Sequence, residues 1–186
     1  MVRKRRLSVM TAIIVGGLAA GSLALAGDKP LKAPKFGHAR EFSAKLIGYQ
    51  ETPLTLSTAG FGDFRARLVN DTTLHYRLRY TDLEGGNVLF SHVHIGQRGT
   101  TGGVMFFLCG GGGKPACPSS PAVVEGDVTP ANVIGPAGQG IAPGQFDEAI
   151  RAMRAGYAYA NVHTATYATG EIRGQVNSHS GERHDK

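Results

Sequence analysis

The sequence predicts an all-β fold, a Greek-key β-sandwich or partly closed barrel with one short helix. Three observations carry that expectation. Short runs alternate apolar and polar residues with period two, the mark of strands that bury one face. The 27 glycines and 9 prolines of the 186-residue chain supply breaks between those runs. One segment alone repeats at helical spacing, which leaves too few helices for a doubly wound α/β fold.

Taken in order, residues 1–26 join a basic start (MVRKRR) to the apolar LSVMTAIIVGGLAAGSLALA, ending on Ala24, Leu25 and Ala26. That layout is a secretory signal peptide cut after Ala26, and an uncleaved membrane anchor is the competing reading of the apolar stretch. Cleavage leaves 160 residues, enough for one domain with its own core. It also removes Arg3, Lys4, Arg5 and Arg6, so the formal charge falls from +6 to +2. The basic pI therefore belongs to the targeting segment, and nucleic-acid binding has no footing. The mature chain is expected to be secreted or periplasmic, with no membrane span.

Residues 27–40 (GDKPLKAPKFGHAR) read as a flexible leader, and residues 178–186 (SHSGERHDK) as a polar tail. Neither end is expected in the core, and His38, His179 and His184 read as solvated. The domain proper spans 41–177. Its strand candidates are FSAKLIGY, GFGDFRARLVN, TTLHYRLRY, VLFSHVHIG, GGVMFFL, AVVEGDV, YAYANVHT and GEIRGQV. In TTLHYRLRY, Leu74, Tyr76, Leu78 and Tyr80 share one face, while His75, Arg77 and Arg79 take the wet one. In GFGDFRARLVN, Gly62, Phe64, Ala66 and Leu68 point inward. In APGQFDEAIRAMRAGY, Phe146, Ala149, Ile150 and Met153 recur at helical spacing, with Asp147 and Glu148 early, Arg151 and Arg154 late and Gly156 beyond. This predicts a helix over 144–155 whose apolar stripe packs across a sheet opening.

Cys109 and Cys117 flank seven residues, four of them glycine, in LCGGGGKPACP. In an oxidising compartment that spacing predicts a disulfide, contributing about 2 to 3 kcal/mol by loop entropy. A thiolate metal site is the rival, but structural zinc usually takes four ligands.

FSHVHIGQRG sets His92 and His94 one residue apart in an apolar run. Side chains two apart in a strand share a face, roughly 7 Å from each other. The pair is metal-ligand geometry, and equally what a surface strand with two polar positions shows. Elsewhere no G-x-S-x-G elbow, H-E-x-x-H helix or P-loop occurs, and GQRGTTGG lacks Walker spacing. Asp82 with Glu84 or Glu51 is a possible carboxylate pair, though such residues more often end strands. Pro53 of YQETP bends the chain after the first strand.

Three blocks, FSAKLIGYQETPLTLSTAGFGDF, LHYRLRYTDLEGGNVLFSHVHIGQRGTTGGVMFFLC and AGYAYANVHTATYATGEIRGQV, occur in that order. Together they resemble the CHRD domain first described in chordin, of the single-domain exported bacterial type, over about Glu41 to Asn177. The resemblance implies an all-β extracellular module that is not an enzyme. It implies a ligand or surface protein as partner without identifying either. Growth-factor binding does not carry over, because the cysteine-rich modules that accompany it in chordin-like proteins are missing from this sequence.

His92, His94 and His163 all stand inside the matched blocks. Placing Val93 and Ile95 inward sends His92 and His94 outward. Placing Ala158, Ala160 and Val162 inward sends His163 outward with Tyr157, Tyr159 and Asn161. If the two strands are neighbours, three imidazoles converge on one ion, copper or zinc. The arrangement is similar to the copper side of Cu/Zn superoxide dismutases. It departs from that pattern in lacking a bridging histidine and a zinc set, and Arg173 follows His163 too closely to stand in for the steering arginine. No cofactor is therefore certain. The leading expectation is a non-enzymatic binding module, the alternative a copper or zinc protein, and a dismutase the least favoured. Asn161, Gln97 and Glu171 are the expected partners of the outer ring nitrogens. In the competing reading His92 and His94 donate to carbonyls and pin the GQRGTTGG loop, with His163 buttressing an adjacent strand.

Overall fold

The structure, a computed structural model, describes residues 36–179. The expected signal peptide, most of the leader and the end of the polar tail with His184 lie outside the described residues. Among the described residues there are nine strands and one α-helix: β1 (Glu41–Ile47), β2 (Phe61–Asn70), β3 (Thr73–Thr81), β4 (Val88–Ile95), β5 (Val104–Cys109), β6 (Ala122–Val128), α1 (Phe146–Arg154), β7 (Ala158–Thr164), β8 (Ile172–Gln175) and β9 (Asn177–His179). The strands form one sheet in the order β5-β4-β7-β8-β1-β2-β3-β6, with β9 beside β1. Every pairing is antiparallel. Of the two architectures expected, the chain adopts the nearly closed barrel.

Alternation builds the barrel wall. Along β3, Leu74, Tyr76, Leu78 and Tyr80 are buried while His75, Arg77 and Arg79 face out. Phe42, Ala44 and Leu46 of β1 and Phe64, Ala66 and Leu68 of β2 meet them inside. Each large side chain so buried contributes about 1.5 to 3 kcal/mol against exposure. On the outer face His75 pairs with Asp127, and Arg77 with Glu125.

The two edge strands, β5 and β6, are the barrel's seam. Tyr76 of β3 sits opposite Gly126 of β6. Its hydroxyl donates to the carbonyl of Leu108 in β5 at 2.6 Å. A Cβ at residue 126 would lie 2.7 Å from that hydroxyl oxygen, so only glycine lets the tyrosine reach across. The sulfurs of Cys109 and Cys117, 1.99 Å apart, are at disulfide distance and tie the start of the β5–β6 connection.

α1 buries Phe146, Ala149, Ile150 and Met153, the stripe expected, together with Ala152. It starts inside the expected 144–155 because Gly144, at φ +85°, makes the entering turn, and it ends at Arg154, two residues before Gly156 at φ +78°. Arg151 pairs with Glu148 one turn back, and Arg154 Nε donates to the carbonyl of Ala39. Within the expected leader, Ala39 is nevertheless buried, and Arg40 is tied to Leu68 twice: its carbonyl accepts from the Leu68 N–H and its guanidinium donates to the Leu68 carbonyl. At the other terminus, Ser178 and His179 of the expected tail pair with β1 as part of β9. His179 stays exposed, bonded to Ser43 Oγ, and His38 is exposed. No described helix is long and apolar enough to cross a membrane.

Candidate metal centre

β4 and β7 are neighbours, and their register sets Phe90 opposite His163, His92 opposite Asn161 and His94 opposite Tyr159. Val93 points into the barrel and is fully buried, so pleating turns His92 and His94 to the outer side. Ala158, Ala160 and Val162 are inside likewise, which turns Tyr159, Asn161 and His163 out. The outer side is nevertheless dry here. His92, His94 and His163 are only 4%, 8% and 6% exposed.

Two loops account for the cover. The β4–β5 connection folds back so closely that a Cβ on Gly102 would sit 1.7 Å from the carbonyl oxygen of Ile95. Glycine there is required, and it places the Gly102 carbonyl 2.8 Å from His94 Nδ1. The β7–β8 connection places the Ala168 carbonyl 3.0 Å from His163 Nδ1. A carbonyl only accepts, so each Nδ1 carries the proton and each Nε2 its lone pair. These two backbone carbonyls, rather than Asn161, Gln97 or Glu171, are the acceptors of the outer ring nitrogens. The His94 contact is the one the loop-pinning reading expected, since Gly102 belongs to GQRGTTGG, whereas the Ala168 carbonyl that holds His163 had no signal in the sequence.

Three ring nitrogens then remain buried without a partner: His92 Nδ1, His94 Nε2 and His163 Nε2. A ligating nitrogen from each ring lies within 4.8 Å of the other two. Nitrogens trigonal about an ion at about 2.0 to 2.1 Å stand about 3.5 Å apart, so closure asks for about 1.3 Å at most on any pair. Leaving a buried polar atom unpaired costs about 1 to 3 kcal/mol, and three in one place is a concentrated cost. Burial, with repulsion from His94 and His163, drives His92 down to about 2. Burial likewise takes His94 down to about 4 and lowers His163, although each carbonyl bond pulls the other way. All three rings are neutral at neutral pH, the form that ligates metals.

Aromatic rings line the trio. Phe90 lies 4.7 Å from the His163 ring, and Phe107 stands edge-on to His92 at 5.1 Å. Tyr159 stacks parallel on His94 at 4.5 Å, and the Arg173 guanidinium sits 3.5 Å over Tyr159. Arg173 is itself held: it donates to Thr52 Oγ1 and to the carbonyls of Gln97 and Thr100.

The residues expected as outer partners serve a different network. Asn161 Nδ2 donates to Glu51 Oε1 at 2.6 Å and to the Ile172 carbonyl. Glu171 accepts from Thr58, Thr164 and the backbone of Glu84 and Gly85. Burial pushes Glu51 up to about 8, with Arg173 and Asn161 opposing. Asp82 and Glu84 are exposed between β3 and β4, in keeping with the reading that such residues end strands, and the acid whose charge bears on Glu51 is Glu171. Neither cysteine joins the histidine group.

No curated protein and no solved structure matches the chain. The family model of the CHRD domain matches residues 42–176, from the first core residue of β1 to the residue between β8 and β9. With that match running through both histidine strands, the chain belongs to the CHRD domain family.

Proposed function

We propose that this CHRD domain is an exported binding module whose ligand is a transition-metal ion, held by His92 Nδ1, His94 Nε2 and His163 Nε2. One observation carries the reading: three neutral, buried ring nitrogens without partners face one another, two of them with their tautomer fixed by a backbone carbonyl. A trio held that way lacks only an ion to satisfy it. Imidazole suits copper, zinc and nickel, and the affinity order among divalent ions favours copper. Export rests on the layout of residues 1–26. The loop-pinning role of His94 does not compete with ligation, because it uses Nδ1 and leaves Nε2 free. A dismutase-type reaction lacks support: no fourth histidine joins the group among the described residues, and every assigned contact of Arg173 is structural. The role in keeping with the family is binding, for storage or transfer.

The test is metal content. Purified chain dialysed against copper or zinc, then against buffer, should retain about one ion per molecule, as a complete three-donor site requires. His94→Gln and His163→Gln should fall to background while keeping the β-sheet circular dichroism spectrum. Retention unchanged in both variants, or none in the parent chain, overturns the reading.

A further inference from the structure

The surroundings of the trio point beyond metal binding to an oxidation state. Resting on the reading of the histidines as donors, we propose that the site holds copper as Cu(I) in preference to Cu(II) or Zn(II). The donors are three neutral imidazoles, and no described carboxylate or thiolate joins them. The buried acids nearby are committed elsewhere, Glu51 to Asn161 and Glu171 to Thr58, Thr164 and two backbone amides. The whole charge of the ion therefore stays uncompensated in a buried place, and the penalty for that rises with the square of the charge. A monovalent ion bears it far better than a divalent one.

Two further features act in the same direction. The Arg173 guanidinium stacks on Tyr159, which stacks on His94, so a fixed positive charge already stands behind one ligand. Phe90 and Phe107 flank His163 and His92 with hydrocarbon, which offers a fourth ligand nothing to bond to. Zn(II) calls for that fourth ligand, and Cu(II) for a tetragonal set. Cu(I), with a filled d shell, is complete in a trigonal one.

Competition on the full chain decides this. Cu(I) is titrated anaerobically against a chromophoric Cu(I) chelator, and Cu(II) in air against nitrilotriacetate. Cu(I) should bind at least tenfold more tightly than Cu(II), which places the bound couple at least about 59 mV above the free-ion couple. Zn(II) bound beforehand should be displaced by Cu(I). Arg173→Gln should shift the ratio several-fold towards Cu(II) without loss of copper stoichiometry. Equal or tighter Cu(II) binding, with the His94→Gln variant empty, overturns the oxidation-state proposal alone. Binding of neither state above the His94→Gln background overturns the donor reading beneath it.

Discussion

At His92 the chain accepts a local cost that only a ligand repays. Its Nδ1 is buried and unpartnered, so replacing the ring with hydrocarbon removes the cost along with the donor. His92→Leu is expected to leave the metal-free protein no less stable, and up to about 1 to 3 kcal/mol more so, while abolishing the copper-dependent rise in Tm. Thermal denaturation with and without copper checks both halves. The same rings give the metal-free protein an acid slope. Their folded values lie below the ordinary 6.5, at about 4 for His94 and about 2 for His92, so the unfolded chain binds more protons. Their contribution is complete above pH 6.5 and is lost as pH falls from there towards 4 and below. Glu51 runs the other way, its contribution complete below 4.5 and lost as pH rises to about 8. Urea midpoints between pH 4 and 7 should fall on acidification, and fall less steeply in His92→Leu.

At the scale of elements, the two loops over the trio matter as much as the strands beneath it. Gly102→Ala would drive a methyl into the Ile95 carbonyl, displacing the carbonyl that orients His94. The expected loss is about 1 to 3 kcal/mol from overpacking, with weakened metal retention, read from Tm and metal content. Strand phase was legible in advance: Val93 against His92 and His94, and Val162 against His163, put the rings on one side. The helix stripe from Phe146 to Met153 was legible for the same reason, since periodicity records which face is buried. What alternation cannot record is cover. An outward position is wet unless a loop covers it, and here the backbone path of the Gly102 and Ala168 loops makes it dry. Glu51 and Glu171 were noticed but given other partners, because a carboxylate in a turn-like stretch carries no mark of the groups that will enclose it.

At the scale of the whole molecule, the fold class and the single helix follow from composition and pattern, whereas the choice of barrel over sandwich does not. At the seam of that barrel one side chain and one missing side chain meet, Tyr76 passing Gly126 to reach Leu108. Tyr76→Phe leaves a buried carbonyl without its donor and is expected to cost about 1 to 3 kcal/mol. Amide exchange should quicken first along β5 and β6 if the seam is the point of opening. An unclosed sheet of this length would present two borders of unpaired backbone, each a template on which another chain could add a strand. Here a tyrosine clasps one border to the other, the Tyr76 hydroxyl reaching Leu108 of β5. A molecule so fastened is guarded against self-templated aggregation by its own circumference.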